Sequence, residues 1–200
     1  MTGMMEDFQQ LQQTVESCTR CDLCQGRHHV VFGTGNPQAK VMFIGEGPGE
    51  QEDLKGEPFV GRSGQLMDKM LEYVGLSRKT NIYIANMVKC RPPQNRDPSK
   101  DEVALCIGYL RNQVYLIRPK VIVCVGRIAA TALISPTYKV TKEHGTFVER
   151  NGTLLMGTFH PAALLRNPDN KPAAMEDLFR LRDKLLELGL LQPEEPEHNC

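Results

Sequence analysis

The sequence predicts a three-layer α/β/α sandwich built on a four-stranded, mainly parallel sheet. Four short runs rich in β-branched and apolar residues recur along the 200 residues, at 40–46, 81–89, 120–127 and 153–161. Each is apolar at almost every position, the pattern of a strand covered on both faces. Stretches with helical spacing of apolar residues separate them, and this alternation specifies a parallel sheet with right-handed crossovers.

In chain order, the first run (VMFIG) leads into Gly45-Glu46-Gly47-Pro48-Gly49, a turn-rich string that matches neither GxGxxG nor GxxxxGK[ST]. Residues 63–74 then place Leu66, Met70, Leu71 and Val74 on one helical stripe. The second run (IYIANMV) ends in Lys89-Cys90-Arg91-Pro92-Pro93. A helix over 101–117 follows, with Val103, Cys106, Leu110 and Val114 in step, Ser99 as its N-cap and Glu102 as capping-box partner. The third run (VIVCVG) stops at Arg127 and the fourth (TLLMGTFH) at Pro161. The last helix covers 173–188 and Gly189 caps it. One domain over 1–190 is expected, its N-terminal part carrying clustered cysteines, with an acidic, Pro-broken and disordered tail over 191–200.

Composition narrows the function classes. Charged residues at 24% and hydrophobic residues at 40% exclude a disordered chain, a collagen-like repeat and a disulfide mini-protein. Lys and Arg (24) balance Asp and Glu (24), so global charge argues for neither a nucleic-acid nor a membrane partner. The start, MTGMMEDFQQ, lacks the basic and apolar segments of a signal peptide, and no apolar run approaches the roughly 20 residues that span a bilayer. A cytoplasmic protein is expected, and there cysteines serve as metal ligands, catalytic groups or core residues more than as disulfides.

Seven cysteines are the compositional oddity. Cys18, Cys21 and Cys24 form C-x-x-C-x-x-C, which fits a metal site or a redox dithiol. Cys90 follows the second strand and Cys106 lies 16 positions on, an open spacing that favours an iron–sulfur cluster over a zinc ribbon. Cys124 reads as a small core residue and Cys200 as idle. All four strand ends carry unusual residues, and in open α/β sheets the ligand sits at the carboxyl ends of the strands.

These residues resemble the iron–sulfur (type 4) uracil-DNA glycosylases. The matching blocks are Cys18-T-R-Cys21, GEGPGEQED from Gly45, PFVGRSGQLMDKML from Pro58, NMVKCRPPQNRDP from Asn86, Cys106, and HPAALLRNP from His160. The resemblance implies a uracil-DNA glycosylase-like fold and hydrolysis of the N-glycosidic bond of uracil in DNA, leaving an abasic site. It also implies a 4Fe–4S cluster on Cys18, Cys21, Cys90 and Cys106, with a structural role; Cys24 is near enough in sequence to compete for a ligand place. Phe59 falls on the family's stacking residue, although PFVG by itself reads equally well as core. Asn86 falls on the residue that reads the Watson–Crick edge, and His160 on the group that meets uracil O2 as charge builds there. The resemblance also implies that Gly45, Glu46 and Gly47 line the base pocket.

Other classes of uracil-DNA glycosylase carry an Asp where this chain has Gly47, so Glu46 and Glu52 become the candidate carboxylates, Glu46 the more important. From Arg78 to Lys100 there are six basic residues and one acidic, read as a phosphate-facing loop that includes Arg91 and Arg96. Leu164 is the expected wedge into the stack, Leu165 the second choice, and Arg166 a phosphate contact. No Lys is placed for Schiff-base chemistry, and RPPQNRDP lacks the reactive His of the covalently trapping relatives. The expected partner is uracil-containing DNA, single- or double-stranded, bound by a monomer, with downstream repair proteins as further partners. The rival reading is a non-catalytic Cys-cluster protein that binds nucleic acid or nucleotides on the same fold.

Overall fold

A computed structural model describes residues 7–192. Its sheet has six strands, in the order β1 (Thr34–Gly35), β3 (Ile82–Asn86), β2 (Val41–Gly45), β4 (Val121–Val125), β6 (Thr153–Thr158), β5 (Phe147–Arg150). The four parallel strands are those the sequence predicts: β2 (Val41–Gly45), β3 (Ile82–Asn86), β4 (Val121–Val125) and β6 (Thr153–Thr158). Two antiparallel edge strands, β1 (Thr34–Gly35) and β5 (Phe147–Arg150), raise the expected four to six. Strand β5 had a sequence signal. Asn151 (φ 49°) and Gly152 (φ 76°) make the two-residue turn between β5 and β6, and Asn-Gly is the strongest short-range hairpin signal. Two-residue β1 is too short to show any period.

Successive residues of the parallel strands point to opposite faces, and each face has its own core. Phe43, Ile84, Val123 and Met156 pack against Met67 and Leu71 of α4 (Arg62–Glu72) and Leu178, Leu181 and Leu185 of α9 (Lys171–Glu187). On the other face Met42, Ile44, Ala85, Ile122 and Cys124 meet Leu110 and Ile117 of α5 (Lys100–Ile117) and Ala129 and Ala130 of α6 (Arg127–Leu133). Cys124 is thus the core residue it was read as. Helices on both faces explain why the strands carry no polar alternation.

The capping expectations hold. Ser99 and Glu102 form the capping box of α5, and Gly189, at φ 67°, follows α9 with its N–H on the Leu186 carbonyl. A smaller core joins α1 (Phe8–Glu16) to the sandwich, where Leu11 and Val15 contact Phe32 and Tyr109. The short helices are α2 (Leu23–Gly26), α3 (Glu50–Lys55), α7 (Val140–Glu143) and α8 (Pro161–Arg166). Among the described residues, no helix is long and apolar enough to cross a membrane. The expected tail lies outside the described residues from 193 onward.

Candidate active site and cysteine pocket

The carboxyl ends of β2, β3, β4 and β6 open into one cleft of about 680 Å³. Glu46, Gly47, Glu52, Phe59, Asn86, Arg96, His160 and Arg166 all line it. Residues up to 120 positions apart in sequence are therefore brought together as the strand-end argument requires.

Asn86, the last residue of β3, is only 1% exposed. Its Oδ1 is the one buried side-chain polar atom without a hydrogen-bond partner among the described residues. Leaving such an acceptor unpaired costs about 1–3 kcal/mol, so a ligand N–H is the natural partner. The backbone beneath it is fixed, because the buried Lys89 ammonium donates to the Asn86 carbonyl (2.9 Å) and to Gln113 Oε1 (2.6 Å). Gly45 pairs with Asn86 across the sheet. A Cβ on Gly45 would stand 2.5 Å from Asn86 Oδ1 and 2.7 Å from the Phe59 ring, so no larger residue fits.

Phe59 sits at φ 53°, a left-handed conformation that costs a non-glycine residue about 1–2 kcal/mol. Its ring faces the His160 ring at 5.6 Å with a 31° tilt. It belongs to the main core and also lines the cleft. His160 Nδ1 accepts the Ala162 N–H (3.2 Å), which leaves the proton on Nε2. Enclosure of the ring lowers its pKa to about 4, with Arg166 adding to the drop and Glu52 opposing it. The imidazole is therefore neutral at physiological pH. Glu46 is half-buried, and burial first, then Asp97, raises its pKa, while Arg127 and Arg166 pull it back.

The two carboxylates differ in what holds them. Glu52 Oε1 accepts the N–H groups of Val60 (2.9 Å) and Gly61 (2.8 Å), capping the start of α4. Among the described residues Glu46 has no such backbone partner. Sequence reasoning missed Arg127 and Asp97, which form a 2.6 Å ion pair in the cleft lining. The position of Arg127 at a strand end was the signal available.

Two expectations require correction. Leu164 is 1% exposed and packs with Phe159 and Ala174 in a core cluster, because its position in α8 turns it inward. Leu165 is the exposed leucine. The run from Arg78 to Lys100 is also not a continuous basic face. Lys89 is buried, and Arg78 turns inward onto Asp68 and the carbonyls of Pro58 and Phe59. Arg91 bonds Asn95 Oδ1 (2.7 Å) and lies 3.5 Å from Glu50. Arg96 makes a two-point contact with Glu102 at 2.6 and 2.8 Å.

Behind β3 a second pocket is lined by Cys18, Cys21, Cys24, Cys90 and Cys106. Among the described residues no three Cys, His, Asp or Glu side chains gather at the spacing of a single metal ion. The thiols surround a space instead: Cys18, Cys21 and Cys24 come from the N-terminal segment, Cys90 from the chain that leaves β3 and Cys106 from α5. Burial raises the pKa of Cys21 and of Cys90, and that of Cys106 to about 11; neighbouring cysteines add to each rise. Arg27 bridges the pocket, donating to the Cys18 carbonyl (2.7 Å) and to Cys90 Sγ (3.3 Å). An all-thiol donor set around a mainly apolar space suits a polynuclear iron–sulfur group better than one zinc ion, which draws four ligands to a point.

The family model described as "Uracil DNA glycosylase superfamily" matches residues 32–181. A type-4 uracil-DNA glycosylase of Archaeoglobus fulgidus is 44% identical over 185 residues, covering 88% of this chain and 92% of the relative. One from Sulfurisphaera tokodaii is 40% identical over 188 residues, covering 90% and 85%. A type-5 uracil-DNA glycosylase of Pyrobaculum aerophilum is 32% identical over 146 residues, covering 65% and 64%.

Proposed function

This chain belongs to the uracil DNA glycosylase superfamily, and from that premise we propose how its cleft works. It is a DNA-repair glycosylase that hydrolyses the N-glycosidic bond of uracil in DNA. In our reading the extruded base stacks on Phe59, and the backbone at Gly45, Glu46 and Gly47 forms the near wall. Uracil N3–H donates to the Asn86 Oδ1 that has no partner among the described residues, and the amide NH₂ donates to O4. Cytosine presents an acceptor at N3 and a donor at C4, the reverse order, so the same amide orientation repels it.

His160 is neutral, with its proton on Nε2, and donates that proton's hydrogen bond to uracil O2 as the leaving group gains charge. Glu46 holds the attacking water or faces the developing sugar cation, while Glu52, committed to Val60 and Gly61, shapes the wall. Arg91, Arg96, Arg166 and Leu165 meet the DNA backbone and the vacated stack.

The donor set supports a 4Fe–4S cluster on Cys18, Cys21, Cys90 and Cys106. When bound, it supplies iron–thiolate bonds that tie the N-terminal segment to β3 and α5. Cys90 and Asn86 share the chain that leaves β3, so this anchorage fixes the segment that presents the reading amide. A monomer acting in the cytoplasm on single- or double-stranded DNA completes the reading.

The unpartnered Asn86 acceptor carries the proposal. Replacing Asn86 with Ala is expected to lower uracil excision by about 10- to 100-fold, the worth of one or two buried hydrogen bonds. Alkali cleavage of a uracil-containing oligonucleotide reads this out. An uncleaved strand with excess parent enzyme would overturn the function, and full activity of Asn86→Ala would overturn the reading role.

A further inference from the structure

The segment that carries Phe59 is held by four hydrogen bonds from two side chains on opposite sides. Glu52 takes the N–H groups of Val60 and Gly61. The Arg78 guanidinium takes the two preceding carbonyls, with Nη1 on Pro58 O (2.6 Å) and Nη2 on Phe59 O (2.8 Å). Arg78 Nε is held in turn by Asp68 Oδ1 (2.9 Å). The contact is close-packed as well. A Cβ on Gly64 would stand 1.9 Å from Phe59 O, so that carbonyl lies between the α4 backbone and the guanidinium.

The pattern is more than an ion pair. Asp68 could be satisfied by any cation, and its side chain is 37% exposed. Two successive carbonyls need a planar fork with separate donors, which Arg has and Lys lacks. The residue between those carbonyls is the one at φ 53°, whose ring forms the cleft wall against His160 and Gly45. Rotation of Phe59 back to an ordinary φ would swing its carbonyl off Arg78 and its ring out of the wall. In sequence Arg78 is 19 positions from Phe59, in the turn that enters β3, and it counts there as one of a basic run.

We propose that Arg78 is a positioning residue for base recognition, its guanidinium fork fixing the left-handed Phe59 and so the stacking platform. It touches neither base nor phosphate. The inference rests on the reading of Phe59 as that platform, and the experiment separates the two. Parent, Arg78→Lys, Phe59→Ala and the double variant are compared as purified cofactor-loaded proteins. Measured are kcat/KM on uracil-containing DNA, inhibition by free uracil, affinity for abasic-site DNA and thermal unfolding.

Arg78→Lys keeps the charge beside Asp68 and loses the fork. It is expected to weaken both free-uracil inhibition and kcat/KM by about tenfold, one lost hydrogen-bonding geometry at the wall. Affinity for abasic-site DNA, which has no base to stack, stays at the parent value. The double variant is expected within about twofold of Phe59→Ala alone, because residues acting as one unit are non-additive. Unchanged uracil inhibition in Arg78→Lys, or a loss that multiplies fully onto that of Phe59→Ala, overturns the role of Arg78. If Phe59→Ala itself binds and excises uracil as the parent does, the stacking reading falls and the inference with it.

Asp68→Asn covers the case in which Arg78→Lys does not fold. It removes the ion pair and leaves both carbonyl bonds, so uracil inhibition should stay within about threefold of the parent. A loss there as large as that of Phe59→Ala would show the ion pair, not the fork, to be what matters.

Discussion

The cleft and the cysteine pocket lie on either side of the segment that leaves β3, yet they are built by opposite means. The recognition residues of the cleft are held by the chain's own hydrogen bonds: Lys89 under Asn86, Glu52 and Arg78 around Phe59, and the Ala162 N–H on His160. The cysteine pocket joins an N-terminal segment with little regular structure to β3 and α5, and Arg27 is its main polar bridge. Burial pushes the Cys21, Cys90 and Cys106 thiols toward the protonated form, which the proposed iron–thiolate bonding would reverse. The cleft is a preorganised recognition surface, so its residues should matter to rate more than to folding. In the proposed reading the thiol pocket takes its strength from iron–thiolate bonds, so its residues should matter to folding first.

The largest effect that would test this contrast is at Cys90 or Cys106. Either Cys→Ser variant is expected to lose bound iron and its visible absorbance. It should also lose more than about 4 kcal/mol of stability, the range reached when a structural metal site is removed, or roughly 10 °C in Tm for a chain of this size. Iron content and a melting curve check it. A Cys90→Ser protein that keeps its iron and its Tm would remove that residue from the ligand set. The same measurements on Cys24→Ser settle whether the fifth thiol of the pocket substitutes for a neighbour.

The cleft should give the reverse result. His160→Ala is expected to lower excision about 10²- to 10³-fold, as loss of one donor to a developing anion does. Its lost bond at the start of α8 should cost only about 1 kcal/mol, with iron retained. A fall in iron content or a collapse in Tm alongside the lost activity would merge the two regions and break the contrast.

The pH profile sharpens it further. Burial raises the Glu46 pKa above its ordinary value, whereas His160 is lowered to about 4. As pH falls, Glu46 therefore takes a proton before His160 does, and the acid limb of kcat/KM belongs to Glu46 and lies above the usual carboxylate range. In Glu46→Gln that limb should vanish from the lower remaining activity. A folded-state pKa that is raised also means that ionised Glu46 destabilises the protein at neutral pH, so Glu46→Gln should be at least as stable there. A full-activity Glu46→Gln, or one with the limb unmoved, removes Glu46 from the chemistry.

The same contrast explains what could be read from the sequence. The four parallel strands were legible because burial on both faces leaves continuous apolar runs, and Gly45, Glu46 and His160 because they stand at the ends of those runs; Asn86 lies inside the run read over 81–89 and was singled out by the family resemblance alone. The orientation of basic residues was not legible. Arg78 and Lys89 look like neighbours of Arg91 and Arg96 in a charge count, but tertiary contacts to carbonyls and to Gln113 take them inside. A carboxylate's partner is equally hidden, since nothing in GEGPGEQED tells that Glu52 meets backbone eight residues away while Glu46 faces the cleft. Convergence of the thiols was readable only as a spacing, and the participation of Cys24 in the lining needed three dimensions.

The smallest effect concerns two adjacent leucines. A residue that enters the DNA stack must be exposed in the free protein, whereas one that holds α8 to the sandwich must be buried. Leu164 is 1% exposed among Phe159 and Ala174, and Leu165 is 39% exposed. Leu164→Ala is therefore expected to cost about 2–5 kcal/mol of stability, the price of a core cavity. Leu165→Ala should change stability by less than about 0.5 kcal/mol, as surface substitutions do. Its cost should appear instead as a several-fold slower excision from double-stranded DNA, where the gap left by the base needs filling. Single-stranded substrate offers no paired stack to fill and should be cleaved at nearly the parent rate. Equal losses on both substrates would make Leu165 a general contact rather than a wedge. A stable Leu164→Ala with a duplex-specific defect would reverse the assignment of the two residues.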